Sequence, residues 1–287
     1  MALELNIEEK NDLSGFKYAW YKKAEYNINI KSYLTLGNGK ANQTEIEEDW
    51  IVMPGEYNQI TINSSTQRYI QADGQMQPFY EILDKINKAT DVLELSLNTD
   101  KSIHEVTNKT EILDKWSSIK KDLHFYELIK ESFEAFIQVY DKEFNNMDHN
   151  IKQNLLYQIM FYPLPAFRGG GFTDKIPVRT VLSTLFPGEK LRYTSEYTIS
   201  GSTEGGYLVK LEGKGKDNQS HFENIYNEKY QRTLGSSLEY RYTIEGEYVY
   251  NEDSVLSEVT FHVKEELNEK MFYVCRYHIK LNKKVPV

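Results

Sequence analysis

From Leu191 onward apolar and polar residues alternate, and this constrains the fold more than any other feature of the chain. Leu191, Tyr193, Tyr197 and Ile199 share one parity, with Arg192, Thr194, Glu196 and Thr198 on the other. A period of two sends one set of side chains to one face of a strand and the intervening set to the opposite face. Tyr207, Val209 and Leu211 resume the pattern after a turn bracketed by Gly201 and Gly205-Gly206, and Phe222, Asn224 and Tyr226 extend it. Leu238, Tyr240, Tyr242 and Ile244 form a further set, followed by Val255, Val259, Phe261 and Val263. A turn near Leu267-Asn268 leads into Tyr273, Cys275, Tyr277 and Ile279. The spacing predicts five or six strands joined by short turns, and strands so joined are antiparallel neighbours.

The start of the chain carries the same signal. Tyr26, Ile28, Ile30, Leu34 and Leu36 share a parity opposed by Asn27, Asn29 and Lys31. Gly37-Asn38-Gly39 supplies a tight turn, Thr44 to Met53 a return strand, and Tyr57 to Asn63 a third strand. Residues 64–77 read as loop. Pro78 opens a helix over PFYEILDKINKAT, where a first-turn proline costs no hydrogen bond. Leu93, Leu95 and Leu97 mark another strand, with Lys101 to Thr107 pairing back on it.

The period then changes. Asn108 followed by Glu111 fits a helix start in which each side chain caps the other's backbone amide. Ile112, Trp116, Ile119 and Leu123 recur at helical spacing, as do Ile129, Phe133, Phe136, Ile137, Tyr140 and Phe144. Asn145 to His149 interrupts the pattern, and Ile151, Leu155, Leu156, Ile159 and Met160 form a last helix that Pro163 and Pro165 end. Trp116, Phe133, Phe136 and Leu155 are expected in the core.

The expected fold class is α+β, with antiparallel sheet segments before and after a central helical block. The two segments are either separate or parts of one strongly curved open sheet packed on the helices. The expected divisions are 1–107, mainly strands; 108–162, helices; 163–189, a hinge loop rich in proline and glycine; and 190–287, the antiparallel meander. In plan this resembles the bacterial lipoprotein carriers, whose open curved sheet holds helices in its mouth. No motif of theirs occurs in this chain, so the resemblance is one of architecture alone.

Composition narrows the function. The 34 basic and 43 acidic residues give a formal charge of −9, and no long basic run occurs, which argues against nucleic acid as a partner. No run approaches the ~20 apolar residues of a membrane span. MALELNIEEKNDL has neither the basic start nor the apolar run of a signal peptide, so a cytoplasmic location is expected, with a periplasmic or secreted mature form as the alternative. Cys275 is the only cysteine, and it falls in an alternating strand, so it is expected as a packed core thiol. No two of the six histidines show a short metal-ligand spacing, although His262 and His278 could be neighbours across the last hairpin. No cofactor and no metal are expected.

The least ordinary segment is Phe167, Arg168, Gly169, Gly170, Gly171 and Phe172. Three glycines offer a backbone-amide cradle or a mobile loop, and Arg168 offers a planar five-donor group. The nucleophile elbow and the phosphate-loop pattern that would give the cradle a chemistry are both missing. No catalytic residue is assigned, and the segment is expected to contact a protein partner. The leading expectation is therefore a non-enzymatic protein-binding module of bacterial accessory, adaptor or immunity type. One alternative is a carrier of an apolar ligand held between curved sheet and helices. Another is a hydrolase built on Arg168 to Gly171.

Overall fold

A computed structural model describes residues 22–37, 42–65, 67–71, 77–99, 101–123, 130–161, 178–201, 206–216, 218–253 and 255–283. Their strands are β1 (Ala24–Leu36), β2 (Asn42–Pro54), β3 (Gln59–Ser64), β4 (Arg68–Gln71), β5 (Val92–Leu97) and β6 (Ile103–Val106) before the main helices. After them come β7 (Arg179–Leu182), β8 (Lys190–Gly201), β9 (Tyr207–Gly215), β10 (Arg241–Tyr250), β11 (Leu256–Asn268) and β12 (Met271–Lys283). The helices are α1 (Gln77–Asn87), α2 (Lys109–Leu123), α3 (Lys130–Asn145), α4 (Met147–Gln153), α5 (Leu155–Met160), α6 (Asn218–Lys229) and α7 (Gln231–Leu234).

All twelve strands belong to one antiparallel sheet, in the order β6-β5-β3-β2-β1-β12-β11-β10-β9-β8-β7, with β4 attached to β2. The first and last long strands join its two halves: Ile28 lies opposite Ile279 and Ser32 opposite Cys275. The sheet segments on either side of the helices are therefore a single sheet.

That sheet is strongly curved. Eleven strands laid flat would put the outer edges about 48 Å apart, at roughly 4.8 Å per spacing. Yet α4, a helix of seven residues and so about 10 Å long, lies against both edge strands, β6 and β7. The sheet can meet this only by curling until its edges approach one another across the helices. Side chains of α4 and α5 also take up backbone groups that an edge strand leaves open. Asp148 accepts a hydrogen bond from the Val106 amide of β6 at 2.8 Å. Gln158 donates to the Thr180 carbonyl of β7 at 3.0 Å.

The inner face of the curl carries the apolar parity of nearly every strand. Ile28, Trp50, Ile62, Leu95, Val259 and Ile279 are buried there. On β12, Cys275 and Ile279 are buried while Arg276 and Lys280, of the other parity, are exposed. Cys275 is thus the packed thiol its strand predicts. Tyr157 packs its ring on Trp50 at 5.0 Å, seating α5 on this face. The α6–α7 pair closes the end near the β11–β12 hairpin. Phe222 stacks on Phe186 at 4.3 Å, and Asn268 donates to the Tyr226 hydroxyl at 2.8 Å.

Several expectations are corrected here. Phe222, Asn224 and Tyr226 lie in α6 and not in a strand. Residues four apart satisfy a period of two and a helical turn alike, and only Phe222 and Tyr226 of the three are buried. Residues 68–71 form β4 within the stretch expected as loop, with Tyr69 opposite Ile46. Arg179–Leu182 form the edge strand β7, and four residues are too few to show a period. Tyr240 and Leu238 precede β10, which begins at Arg241. Tyr57 sits at the β2–β3 turn, where it and Asn58 both have positive φ, and its side chain is 93% exposed. The interruption expected over Asn145 to His149 narrows to Asn146, since α4 already contains His149.

Asn108 does precede α2, but its side chain serves the sheet. It accepts from the Glu94 amide at 3.0 Å and donates to the Val92 carbonyl at 3.0 Å, both in β5. Among the expected helical core residues, Trp116 is buried, donates to Asp141 at 2.7 Å and stacks on Phe144 at 4.9 Å. Phe133, Phe136 and Leu155 are half-buried against the core.

Candidate functional site

Phe167, Arg168, Gly169, Gly170, Gly171 and Phe172 lie outside the described residues. The described residues instead bring together a different set, on the inner face of the sheet. A cavity of about 340 Å³ lies between this face and the helices. Its sheet side is formed by Tyr242 of β10, Val263 and Glu265 of β11, and Tyr273 and Tyr277 of β12. Strand register places them together: Tyr242 lies opposite Glu265, which lies opposite Tyr273, and all share the inner parity. Val181 of β7 bounds one side, and Leu155, Asn154 and Gln153 descend from the helices, with Glu143 of α3 at the rim.

Glu265 is the charged exception on an apolar parity that runs Val259, Phe261, Val263, Glu265, Leu267. It is 1% exposed. Ser183 donates to its carboxylate, as do the Thr184 amide at 2.8 Å, the Leu185 amide at 3.4 Å and the Tyr240 hydroxyl at 2.9 Å. A buried carboxylate needs such partners. These ones tie the segment after β7 down onto β11. Burial pushes the Glu265 carboxyl above its ordinary range, and the four donors oppose that without reversing it. The Glu143 carboxyl is raised by burial as well.

Two polar atoms of residues in this wall are buried with almost no accessible surface and lack a partner among the described residues. One is the Tyr242 hydroxyl, on a residue 4% exposed, and the other is the Gln153 side-chain oxygen. Burial and the neighbouring Tyr193 and Glu265 hold the Tyr242 phenol well above its ordinary range, so it remains a proton donor. Burial likewise raises Tyr273 and Tyr277. The lining of the cavity is thus mixed, with Leu155, Val181 and Val263 beside Glu143, Gln153, Asn154, Thr184 and Glu265.

Two other concavities differ in character. One, also about 340 Å³, is polar, with Glu48, Gln67, Asp84, Asn87 and Lys88 in its wall. The other, about 570 Å³, runs beside α6, and the charged residues along it, Lys214, Glu223 and Arg241, are exposed to solvent. No group of three or more histidine, cysteine or acidic side chains among the described residues could hold a metal ion. His262 and His278 are not opposed across the last hairpin: His262 faces Arg276 and His278 faces Thr260. His278 bonds to Glu258 at 2.7 Å instead.

No family model matches this chain, and no curated protein matches it. The solved structures that this chain is similar to include the following two. One, described by its lipid–protein interactions, is lipovitellin, at a TM-score of 0.49 and 9% identity, covering 94% of this chain. This chain spans only 26% of that one, about a quarter of its length. The other is a LolA superfamily protein from Nitrosomonas europaea, at a TM-score of 0.24 and 7% identity, covering 97% of this chain and 94% of that one. At these scores and identities, neither likeness carries over to what this chain binds.

Alternation alone places Tyr242, Tyr273 and Tyr277 in strands without marking them as a site. Glu265 is the signal the sequence offers, because a carboxylate on a buried parity demands a compensating environment.

Proposed function

We propose that this chain carries an apolar ligand between its curved sheet and the helices in its mouth. The observation that supports this reading is the cavity of about 340 Å³ on the inner face, where Leu155, Val181, Val263 and the rings of Tyr273 and Tyr277 stand beside the polar side chains of Gln153, Asn154, Thr184 and Glu265. Small-molecule sites are concave, mostly apolar and roughly 300–1,000 Å³, with a small number of polar groups that set orientation. This one lies at the lower end, suited to a short acyl or alkyl chain. The contact segment expected for a protein-binding module, Phe167 to Phe172, lies outside the described residues. The large apolar side chains exposed elsewhere, such as Leu36, Tyr57, Ile70 and Val139, are distributed over β1, the β2–β3 turn, β4 and α3.

The test is a fluorescence titration with N-phenyl-1-naphthylamine, an uncharged apolar probe. Saturable binding with one site per chain is expected. Val263→Phe, which projects a larger ring into the cavity, should weaken it at least about tenfold with circular dichroism unchanged. Absence of saturable binding, or binding untouched by Val263→Phe, would count against the proposal.

A further inference from the structure

Strand register gathers a positive patch on the outer face of the sheet that no basic run in the sequence announces. We propose that this patch docks the chain on an anionic phospholipid surface, an interaction that goes beyond the carrier reading and does not depend on it.

Two neighbouring rows of the outer parity build the patch, at one end of the sheet. In the first, Arg192 of β8 lies beside Lys216, whose amide donates to the Arg192 carbonyl at 2.8 Å. The row continues through Arg241 of β10, which lies opposite Glu266 of β11, and Glu266 lies opposite Phe272 of β12. In the second, Lys214 of β9 lies opposite Thr243, Thr243 opposite Lys264, Lys264 opposite Val274 and Val274 opposite Tyr33 of β1. Arg192, Lys214, Lys216, Arg241 and Lys264 are all exposed. Three acids stand near them. Glu266 pairs with Lys264 at 2.6 Å, Glu239 meets Arg241 at 3.7 Å, and Glu223 lines the concavity beside α6 with Lys214 and Arg241. The patch thus keeps an excess of positive charge in a chain whose formal charge is −9. It runs into aromatic surface: Tyr33, 41% exposed, stacks on Phe272 at 6.0 Å, and Lys264 lies over the Phe272 ring at 5.8 Å. Cations beside an exposed aromatic ring fit a membrane interface, where lysine and arginine meet anionic head groups and amphipathic rings sit at the same level. The next row reverses the sign. Glu196, Glu212 and Glu245 lie opposite one another on β8, β9 and β10, all exposed. A flat surface meeting this end of the sheet reaches the first two rows and leaves those glutamates in water, whereas a nucleic acid laid along the strands would bring its phosphates against them.

The experiment is vesicle flotation of the full chain, with phosphatidylcholine alone and with about one third phosphatidylglycerol added. Binding is expected only with the anionic lipid, and raising the salt from about 0.05 M to about 0.5 M should weaken it at least about tenfold. Arg192→Gln combined with Lys216→Gln should also weaken it at least about tenfold, at about fivefold per cation removed. Tyr33→Ser should weaken it about two- to fivefold. Lys121→Gln combined with Lys280→Gln changes the net charge equally, at exposed residues outside the patch, and should leave binding within about twofold. Equal binding to the two kinds of vesicle, binding to neither, or equal losses in the two double variants would overturn the proposal. Duplex DNA that binds more tightly than the vesicles, and is lost in the Arg192 and Lys216 double variant, would assign the patch to nucleic acid instead. The binding of N-phenyl-1-naphthylamine in the cavity is read separately, so this proposal and the carrier reading can fail independently.

Discussion

Asp148 is where the curl of the sheet can be broken with one substitution. Its carboxylate joins α4 to the edge strand β6 by accepting from the Val106 amide at 2.8 Å, and it also meets Lys109 at 2.6 Å. The two contacts differ in worth. Lys109 and Asp148 are 40% and 36% exposed, so their ion pair contributes about 0–1 kcal/mol. Val106 is 1% exposed, and Asp148→Ala would orphan its amide at a cost of about 1–3 kcal/mol. The expected loss is about 2 kcal/mol, most of it from the amide. Asp148→Asn keeps an oxygen acceptor and should cost less than about 1 kcal/mol, as should Lys109→Met. Equilibrium urea denaturation gives the three values, and native-state hydrogen exchange gives the location. Protection of the Val106 amide should fall in Asp148→Ala ahead of amides in β1 and β12. Equal losses in Asp148→Ala and Lys109→Met would show that the ion pair, and not the capped strand edge, holds α4. Unchanged stability in Asp148→Ala would refute the edge-capping account altogether.

Two further outcomes follow from the packing and the buried charge. In Gly213→Ala the new methyl group would stand 2.6 Å from Ile244 Cγ1 and 2.9 Å from the Thr194 carbonyl, so thermal denaturation should reveal a loss of about 1–3 kcal/mol; no loss would mean the sheet is looser there than described. Because the folded Glu265 carboxyl titrates above its unfolded value of 4.5, its contribution to stability is present below that value and lost as pH rises through the folded pKa. Relative to Glu265→Gln, the parent protein should therefore lose stability on going from acid toward neutral pH, and a difference that is flat with pH would contradict the burial described for Glu265.

Much of the sheet was legible because its two faces differ in polarity. The alternation in Tyr26 to Leu36, in Leu93 to Leu97 and in Tyr273 to Ile279 places β1, β5 and β12 directly. Short pieces escaped. β4 and β7 have four residues each, and pairing with β2 and β8 defines them where their own period cannot. Phe222 and Tyr226 fit both periods, and what decides for helix is tertiary: the stack on Phe186 and the bond from Asn268. Asn108 shows the limit of a local signature, since its capping side chain turns to β5. The cavity was not legible, because Tyr242, Glu265 and Tyr273 come together through pairing across three strands, and α4 and α5 cover them only when the sheet curls. The expectation placed on Phe167 to Phe172 came from unusual composition, a cue that says where a chain departs from regular structure and not what meets it there.

Methyl-resolved nuclear magnetic resonance during a decanol titration tests the central claim most directly. Leu155, Val181 and Val263 line the cavity, whereas Val249 and Val274 belong to the opposite parity of β10 and β12. The ligand account predicts saturable shifts in the first three methyl groups, with the last two unmoved. Shifts confined to Val249 and Val274, or none at all at saturating decanol, would contradict it.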